Sequence, residues 1–113
     1  MGPKTAAKVG DLIKINRSLR VIDLEGNNLT NGEKTYLKEE PMGFSGRDNS
    51  GIEKIFDALK VNDTLLSLNL CDCNLDNECS EYILKMLKYN TTIINIDLDR
   101  NPKINKIDNV REI

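Results

Sequence analysis

Three cysteines, Cys71, Cys73 and Cys79, are the residues of this sequence best suited to chemistry. Thiolates bind soft metals, but a structural zinc site takes four ligands and the sequence contains no histidine to complete one. The lack of histidine also removes the commonest general base of enzymes. An odd number of cysteines favours a reducing compartment, because a secreted protein would be expected to pair them. We therefore expect Cys73, in the Asn/Cys position of a repeat, and Cys79, on the apolar face of a helix, to pack in the core, and the three cysteines to hold no metal.

Acidic residues with a regular spacing are the second candidate for chemistry. Asp23 and Glu25 are separated by one residue, and so are Asp97 and Asp99. Repetition along the chain explains this spacing better than a catalytic carboxylate pair, and no glycine-rich phosphate-binding sequence is present. The sequence therefore predicts a protein that is not an enzyme and that binds no cofactor.

A longer apolar pattern, present three times, contains these acidic pairs. Each copy has apolar residues at its first, fourth and sixth positions and Asn or Cys at its ninth. The copies are Leu19-x-x-Ile22-x-Leu24-x-x-Asn27, Leu65-x-x-Leu68-x-Leu70-x-x-Cys73 and Ile93-x-x-Ile96-x-Leu98-x-x-Asn101. Three residues before each copy stands an asparagine, namely Asn16, Asn62 and Asn90. Three matches at a common offset require a structural cause.

The pattern is the leucine-rich repeat signature, and the chain resembles the long-repeat subclass found in ribonuclease inhibitor and in tropomodulin-like proteins. The resemblance covers roughly residues 5–104. It implies an α/β fold, a short solenoid of about three repeats with a curved parallel sheet on its concave face and helices on its convex face. We expect one domain over residues 1–113, with repeats near 5–30, 51–76 and 77–104.

An insertion separates the first repeat from the second. The first pattern starts 46 residues before the second, which starts 28 residues before the third. The extra residues lie at 31–50, where Pro and Gly indicate a loop. Its apolar residues Tyr36, Met42 and Phe44 could contact a partner or simply fold over their own repeat, since long loops in compact domains are often functional.

Helices are expected in the rest of each repeat. Ser50 and Glu53 have the spacing of a capping box, and Asp76 can cap the helix that follows it. An apolar stripe of Ala6, Val9, Leu12 and Ile13 predicts a further helix before the first strand.

The outward residues of the strands are the most informative positions for function. Stacking would place Asp23, Asn69 and Asp97 in one row, and Glu25, Cys71 and Asp99 in the next. We hypothesise that this negative stripe binds a basic segment of another protein. Outward strand positions are also commonly polar because they face solvent, and this alternative explains the same residues equally well. The predicted contact residues are Arg20, Asp23, Glu25, Asn69, Asp72, Asp97, Asp99 and Arg100.

Charge and hydropathy restrict the partners and the location. A net charge of −2 and a pI near 5.2 argue against nucleic-acid binding. No apolar run is long enough for a membrane span, and the N-terminus has no signal-peptide core, so a cytoplasmic location is expected.

The resemblance implies a non-catalytic protein-interaction module. We expect a structural or scaffolding subunit of a hetero-complex, such as a cytoskeletal or ciliary axonemal assembly. The alternative is a regulator of an enzyme, either an inhibitor resembling ribonuclease inhibitor or a GTPase regulator.

Overall fold

Three helices alternate with three short strands along residues 2–30 and 47–104, the part of the chain that the computed structural model describes. The order is α1 (Pro3–Ile15), β1 (Val21–Asp23), α2 (Ser50–Leu59), β2 (Ser67–Asn69), α3 (Asn77–Leu87) and β3 (Asn95–Asp97). The predicted α/β class is confirmed. Most of the predicted inserted loop, including Tyr36, Met42 and Phe44, lies outside the described residues.

The strands form one parallel sheet in the order β1-β2-β3. Its register aligns Ile22 with Leu68 and Leu68 with Ile96, the fourth positions of the three apolar patterns. Backbone hydrogen bonds continue this register beyond the strand ends, from the Leu24 amide to the Asn69 carbonyl at 2.9 Å and from the Leu70 amide to the Asp97 carbonyl at 2.8 Å. The prediction of parallel pairing in sequence order is confirmed.

The helix starts agree with the sequence at one position and disagree at another. Asp76 caps α3, because its side chain accepts a hydrogen bond from the Glu78 amide at 3.1 Å. The capping box predicted at Ser50 is wrong: α2 begins at Ser50 itself, and Asn49 is its N-cap. Glu53 is consequently one residue too far along the helix to reach back to the cap.

The core lies between the helices and the sheet and consists mainly of Leu and Ile. Ile52, Ile55 and Leu59 of α2 are fully buried and belong to the same apolar cluster as Leu68 of β2. Two glycines let α1 and α2 approach closely: a Cβ on Gly51 would lie 2.3 Å from the Pro3 carbonyl oxygen, and one on Gly10 would lie 2.9 Å from the Lys54 backbone. Leu12, predicted on the buried stripe of α1, is instead 43% exposed.

Two buried asparagines, Asn62 and Asn90, each lie between the end of a helix and the strand that follows it. The Asn62 amide donates to the carbonyl oxygens of Ile13 (2.8 Å) and Asn16 (3.1 Å) in the preceding helix–strand connection. Its side-chain oxygen accepts from the backbone amides of Thr64 (2.9 Å) and Leu65 (2.8 Å). One side chain therefore satisfies two carbonyls at a helix end and two amides before a strand.

Asn90 repeats this arrangement one connection later. Its amide donates to the carbonyls of Leu59 (2.7 Å) and Asn62 (3.0 Å), and its oxygen accepts from the amides of Thr92 and Ile93, both at 2.8 Å. Asn62 and Asn90 are 5% and 2% exposed. We call the series Asn16, Asn62 and Asn90 the asparagine ladder.

A further asparagine makes the same kinds of contact at the other end of the strands. Asn101, 4% exposed, donates to the carbonyls of Leu70 and Leu98, both at 2.9 Å, and accepts from the amides of Cys73 and Leu75, both at 3.0 Å. Cys73, at the equivalent position of the middle pattern, donates its thiol to the Leu24 carbonyl at 3.1 Å. The predicted packing role of Cys73 is confirmed.

The residue before each of these ninth positions has a left-handed backbone. The φ angles are 80° at Gly26, 55° at Asp72 and 61° at Arg100. The chain must turn sharply out of each strand here, and only one of the three residues is the glycine that adopts this conformation without cost.

Replacing Asn62 with Ala should destabilise the fold strongly. The variant leaves two carbonyls and two amides in a buried site without their partner, and we expect a loss of about 3 kcal/mol in the free energy of unfolding. Urea denaturation measures the loss. Asn16→Ala is the matched control: among the described residues the Asn16 side chain only accepts, from the exposed amides of Ser18 and Leu19, so the expected loss is about 1 kcal/mol. Equal losses of the free energy of unfolding in the two variants would contradict the claim that Asn62 stabilises the fold by joining neighbouring helix–strand connections.

Replacing Gly26 with Ala should cost about 1 kcal/mol, because an L-residue with a methyl side chain is strained at this φ. A Cβ added at Gly26 would meet no heavy atom of the described residues within 4 Å, so backbone strain is the whole effect. Gly26→Asn is the control and should lose about half as much, since Asn tolerates the left-handed region. Thermal unfolding compares the stabilities of the two variants. An Ala variant as stable as the parent would contradict the claim that an L-residue is strained at position 26.

Candidate functional site

The carboxyl ends of the strands bring the predicted acidic residues together. The register aligns Asp23 with Asn69 and Asn69 with Asp97, which confirms the first predicted row. Each of these side chains accepts a hydrogen bond from the backbone amide two residues later: Glu25 at 3.0 Å, Cys71 at 2.9 Å and Asp99 at 3.3 Å. These bonds terminate the strands and hold the side chains in fixed orientations.

The second predicted row is also assembled, but its middle member differs from expectation. Hydrogen bonds from the Gly26 amide to the Cys71 carbonyl (3.0 Å) and from the Asp72 amide to the Asp99 carbonyl (2.9 Å) align the segments after the strands. Cys71, predicted as an outward group, is only 4% exposed. The row therefore presents Glu25 and Asp99 to solvent, with a buried thiol between them.

An ion pair crosses over the middle segment. The Arg100 guanidinium donates to one Glu25 carboxylate oxygen, and the Asn69 amide donates to the other at 3.1 Å. Glu25 follows β1 and Arg100 follows β3, so this contact joins the two outer segments of the sheet. Cys71, on the middle segment, is buried.

Five carboxylates dominate the surface at the strand ends. We call Asp23, Glu25, Asp72, Asp97 and Asp99, together with Asn69, the acidic surface. Asp23, Glu25, Asp72 and Asp99 are exposed, whereas Asn69 and Asp97 are half-buried. Arg100 neutralises part of the charge through Glu25. A preorganised group of this kind can attract and orient a cationic segment.

One predicted contact residue lies elsewhere. Arg20 precedes β1, and its guanidinium donates to the Thr64 carbonyl at 3.3 Å, before β2. The strands are parallel, so their starts share one edge of the sheet and their ends share the other. Arg20 is therefore separated from the acidic surface by the length of the strands.

Cys71, Asp97 and Asp99 are the described residues that could hold a metal ion, because one ligand atom of each lies within 4.8 Å of the other two. Burial, followed by the nearby Asp97 carboxylate, raises the pKa of the Cys71 thiol to about 11. The thiol is therefore protonated at neutral pH, and the group has one donor fewer than a structural zinc site. The expectation that the chain holds no metal stays a prediction.

No family model matches the sequence of this chain. Over residues 2–30 and 47–104, none of the helices combines the length and the apolar character needed to cross a bilayer.

Sequence reasoning overlooked a second surface, at the starts of the strands. Ile15, Val61 and Tyr89 are all strongly exposed, and they occupy the same position relative to the three apolar patterns. Their equal offset from the asparagine ladder was the signal that could have identified them.

Cys71 should react slowly with alkylating reagents. With a pKa near 11, its rate with iodoacetamide at pH 8 should be roughly a hundredfold below that of an ordinary thiol, and it should rise about tenfold per pH unit up to pH 11. Mass spectrometry of the labelled peptide measures this rate site by site.

Because the native pKa of Cys71 lies above the ordinary value of 9.0, the stability contributed by the burial of this thiol is present below pH 9 and is lost as the pH rises through 11.

Asp97→Asn should accelerate the labelling of Cys71, because it removes the neighbouring charge that opposes ionisation. Asp72→Asn is the matched control, since it removes a carboxylate of the acidic surface that is not among the main causes of the raised Cys71 pKa. Labelling at the rate of a free thiol in the parent protein would contradict the covered position of Cys71.

Proposed function

We propose that this chain is a short leucine-rich repeat solenoid that acts as a non-catalytic protein-interaction module, and that its acidic surface binds a basic segment of another protein. The observation that carries the proposal is the alignment of carboxylates from the ends of β1 and β3 on one edge of the sheet. A solenoid explains this alignment, because each equivalent position of a repeat lies beside its neighbour.

Repetition of contacts supports the solenoid. The asparagine ladder, the left-handed residues and the strand register all recur at the spacings of the three sequence patterns. A single repeat has no way to bury its apolar face alone, so stacked repeats are the natural arrangement for such a sequence. In this proposal the sheet forms the concave face and the helices the convex face.

Preorganisation supports the acidic surface as a binding site. Asp23, Asn69 and Asp97 are held by backbone amides, and Glu25 is held by Asn69 and Arg100. Side chains that are already ordered lose little entropy on binding. Complementary charge would then set the specificity and the rate of association more than the affinity.

The resemblance to tropomodulin-like proteins is the basis for proposing the kind of assembly in which the module acts. We propose a cytoplasmic role as a structural or scaffolding subunit of a hetero-complex, in the cytoskeleton or in a ciliary axoneme. The support for this location is the shared repeat signature, which predicts the architecture. In folds of this kind the function itself depends on the exposed residues that a given chain carries.

Neutralising the acidic surface should weaken binding to a short fluorescent lysine-rich peptide at low salt. In the triple variant Asp23→Asn, Asp97→Asn and Asp99→Asn, the new amide oxygens at positions 23 and 97 can still accept the backbone hydrogen bonds of the parent, while the charge is lost at all three positions. Three exposed ion pairs contribute about 1.5 kcal/mol together, so the dissociation constant should rise roughly tenfold. Fluorescence anisotropy measures it, and the affinity of the parent protein should fall as salt is added.

The control variant removes the same number of charges elsewhere on the described surface and should keep the parent affinity. It carries Glu53→Gln, Asp63→Asn and Glu81→Gln. An unchanged affinity in the acidic-surface variant, or equal losses of affinity in both variants, would show that these carboxylates are ordinary solvent-exposed groups with no role in binding.

A further inference from the structure

Exposed apolar side chains are concentrated at one edge of the fold. Within the described residues nine large apolar side chains are exposed, and seven of them lie where the helices end and the strands begin. They are Ile15, Leu19, Val21, Val61, Leu66, Tyr89 and Ile94. Single exposed apolar residues are normal, but a contiguous group often marks a contact surface.

Three of these residues form a repeated unit with lysine. Ile15, Val61 and Tyr89 are 76%, 58% and 65% exposed, and each directly precedes a residue of the asparagine ladder. Lys14, Lys60 and Lys88 precede them. We call these six residues the lysine–apolar edge. The ladder fixes the backbone of each unit, so the three units are presented in register.

Positive charge on this edge is largely uncompensated. Among the described residues, no carboxylate lies within 4.0 Å of the charged groups of Lys14, Lys88, Arg17 or Arg20. Lys60 pairs with Asp57 at 3.2 Å, and its ammonium lies 5.8 Å from the centre of the Tyr89 ring. The exposed Asp63 is the acidic residue of the second helix–strand connection, so the edge as a whole is basic.

A recess opens beside the lysine–apolar edge. A cavity of about 340 Å³ lies between α1 and α2, where Gly10 and Ala58 present little side chain and where Lys14 and Val61 belong to the edge. The recess is also lined by the ion pair of Lys54 and Asp11 (3.7 Å) and by Asp57, which pairs with Lys60. A recess of this size accommodates a bulky apolar side chain, which is how protein partners commonly anchor themselves.

We propose that the lysine–apolar edge binds an acidic segment of a second protein, whose large apolar side chains contact Ile15, Val61 and Tyr89 and enter the recess beside Lys14. Charge complementarity selects the acidic partner, because Lys14, Lys88, Arg17 and Arg20 have no carboxylate of the described residues within 4.0 Å. The recess favours a protein segment over a flat lipid surface. A second copy of the chain fits less well, because no large apolar side chain of the described residues is exposed on the acidic surface.

This inference goes beyond the proposed function, because the lysine–apolar edge and the acidic surface lie at opposite ends of the strands. Two surfaces of opposite charge would let one module hold two partners at once. Each surface can be tested without the other.

Selection from a random peptide display library on the immobilised full chain tests the proposal. We expect enrichment of peptides rich in aspartate and glutamate with interspersed large apolar residues. Binding of a selected peptide, measured by fluorescence anisotropy, should weaken at least tenfold in the variant Lys14→Glu, Lys88→Glu. The control variant Lys8→Glu, Lys85→Glu changes the charge equally on exposed helix positions and should bind as the parent does. Urea denaturation verifies that both variants remain folded.

Three results would overturn the proposal. The first is the absence of acidic apolar peptides from the selection, or equal binding by the edge and control variants. The second is sedimentation with phosphatidylserine vesicles that the edge variant abolishes while selected peptides do not compete, which identifies a membrane surface. The third is a concentration-dependent dimer, seen by analytical ultracentrifugation, that the edge variant dissociates, which identifies a second copy.

The two surfaces give separate readouts. The acidic-surface variant should keep its affinity for the acidic peptide, and the edge variant should keep its affinity for the lysine-rich peptide. Failure of one proposal therefore leaves the other measurable.

Discussion

The buried side-chain amides of Asn62 and Asn90, at the second and third helix–strand connections, are the contacts on which the rest of this structure depends. A helix ends with carbonyls that no longer have partners in the helix, and a short strand begins with amides that its neighbour does not reach. Asn62 and Asn90 each satisfy both kinds of group, and they reach the preceding connection to do so. The ends of α1 and α2 are therefore each held against the next helix–strand connection along the chain, in agreement with the register of the parallel sheet.

Parallel stacking turns a repeat in sequence into a row in space. All described strand starts lie at one edge and all strand ends at the other, so residues that recur before the strands accumulate separately from those that recur after them. Lysine and exposed apolar residues occupy the first edge, and carboxylates occupy the second. The charge asymmetry of the molecule follows from this topology, although the net charge of the chain is only −2.

Three disagreements between sequence and structure each have a physical cause. Cys71 has the strand position of an outward residue, yet it is buried, and the carboxylates of Asp97 and Asp99 lie within 4.8 Å of its thiol. Arg20 is close to the acids in sequence, but one strand length separates it from them in space. Ser50 has the spacing of an N-cap relative to Glu53, but the helix begins one residue earlier than the capping box requires. Neighbouring segments, the length of the strand and a shift of one residue at a helix start decided these three outcomes.

The sequence by itself determined the α/β class, the parallel order of the strands and the alignment of Asp23, Asn69 and Asp97. These features depend on local apolar periodicity and on spacing, which are read directly from residue order. Only the tertiary structure decided that Cys71 is buried, that Glu25 pairs with Arg100, and that a recess opens between α1 and α2 beside Lys14. Those features depend on the side chains that neighbouring segments bring to the same place, and on the close approach of two helices at Gly10 and Gly51, which no single segment specifies.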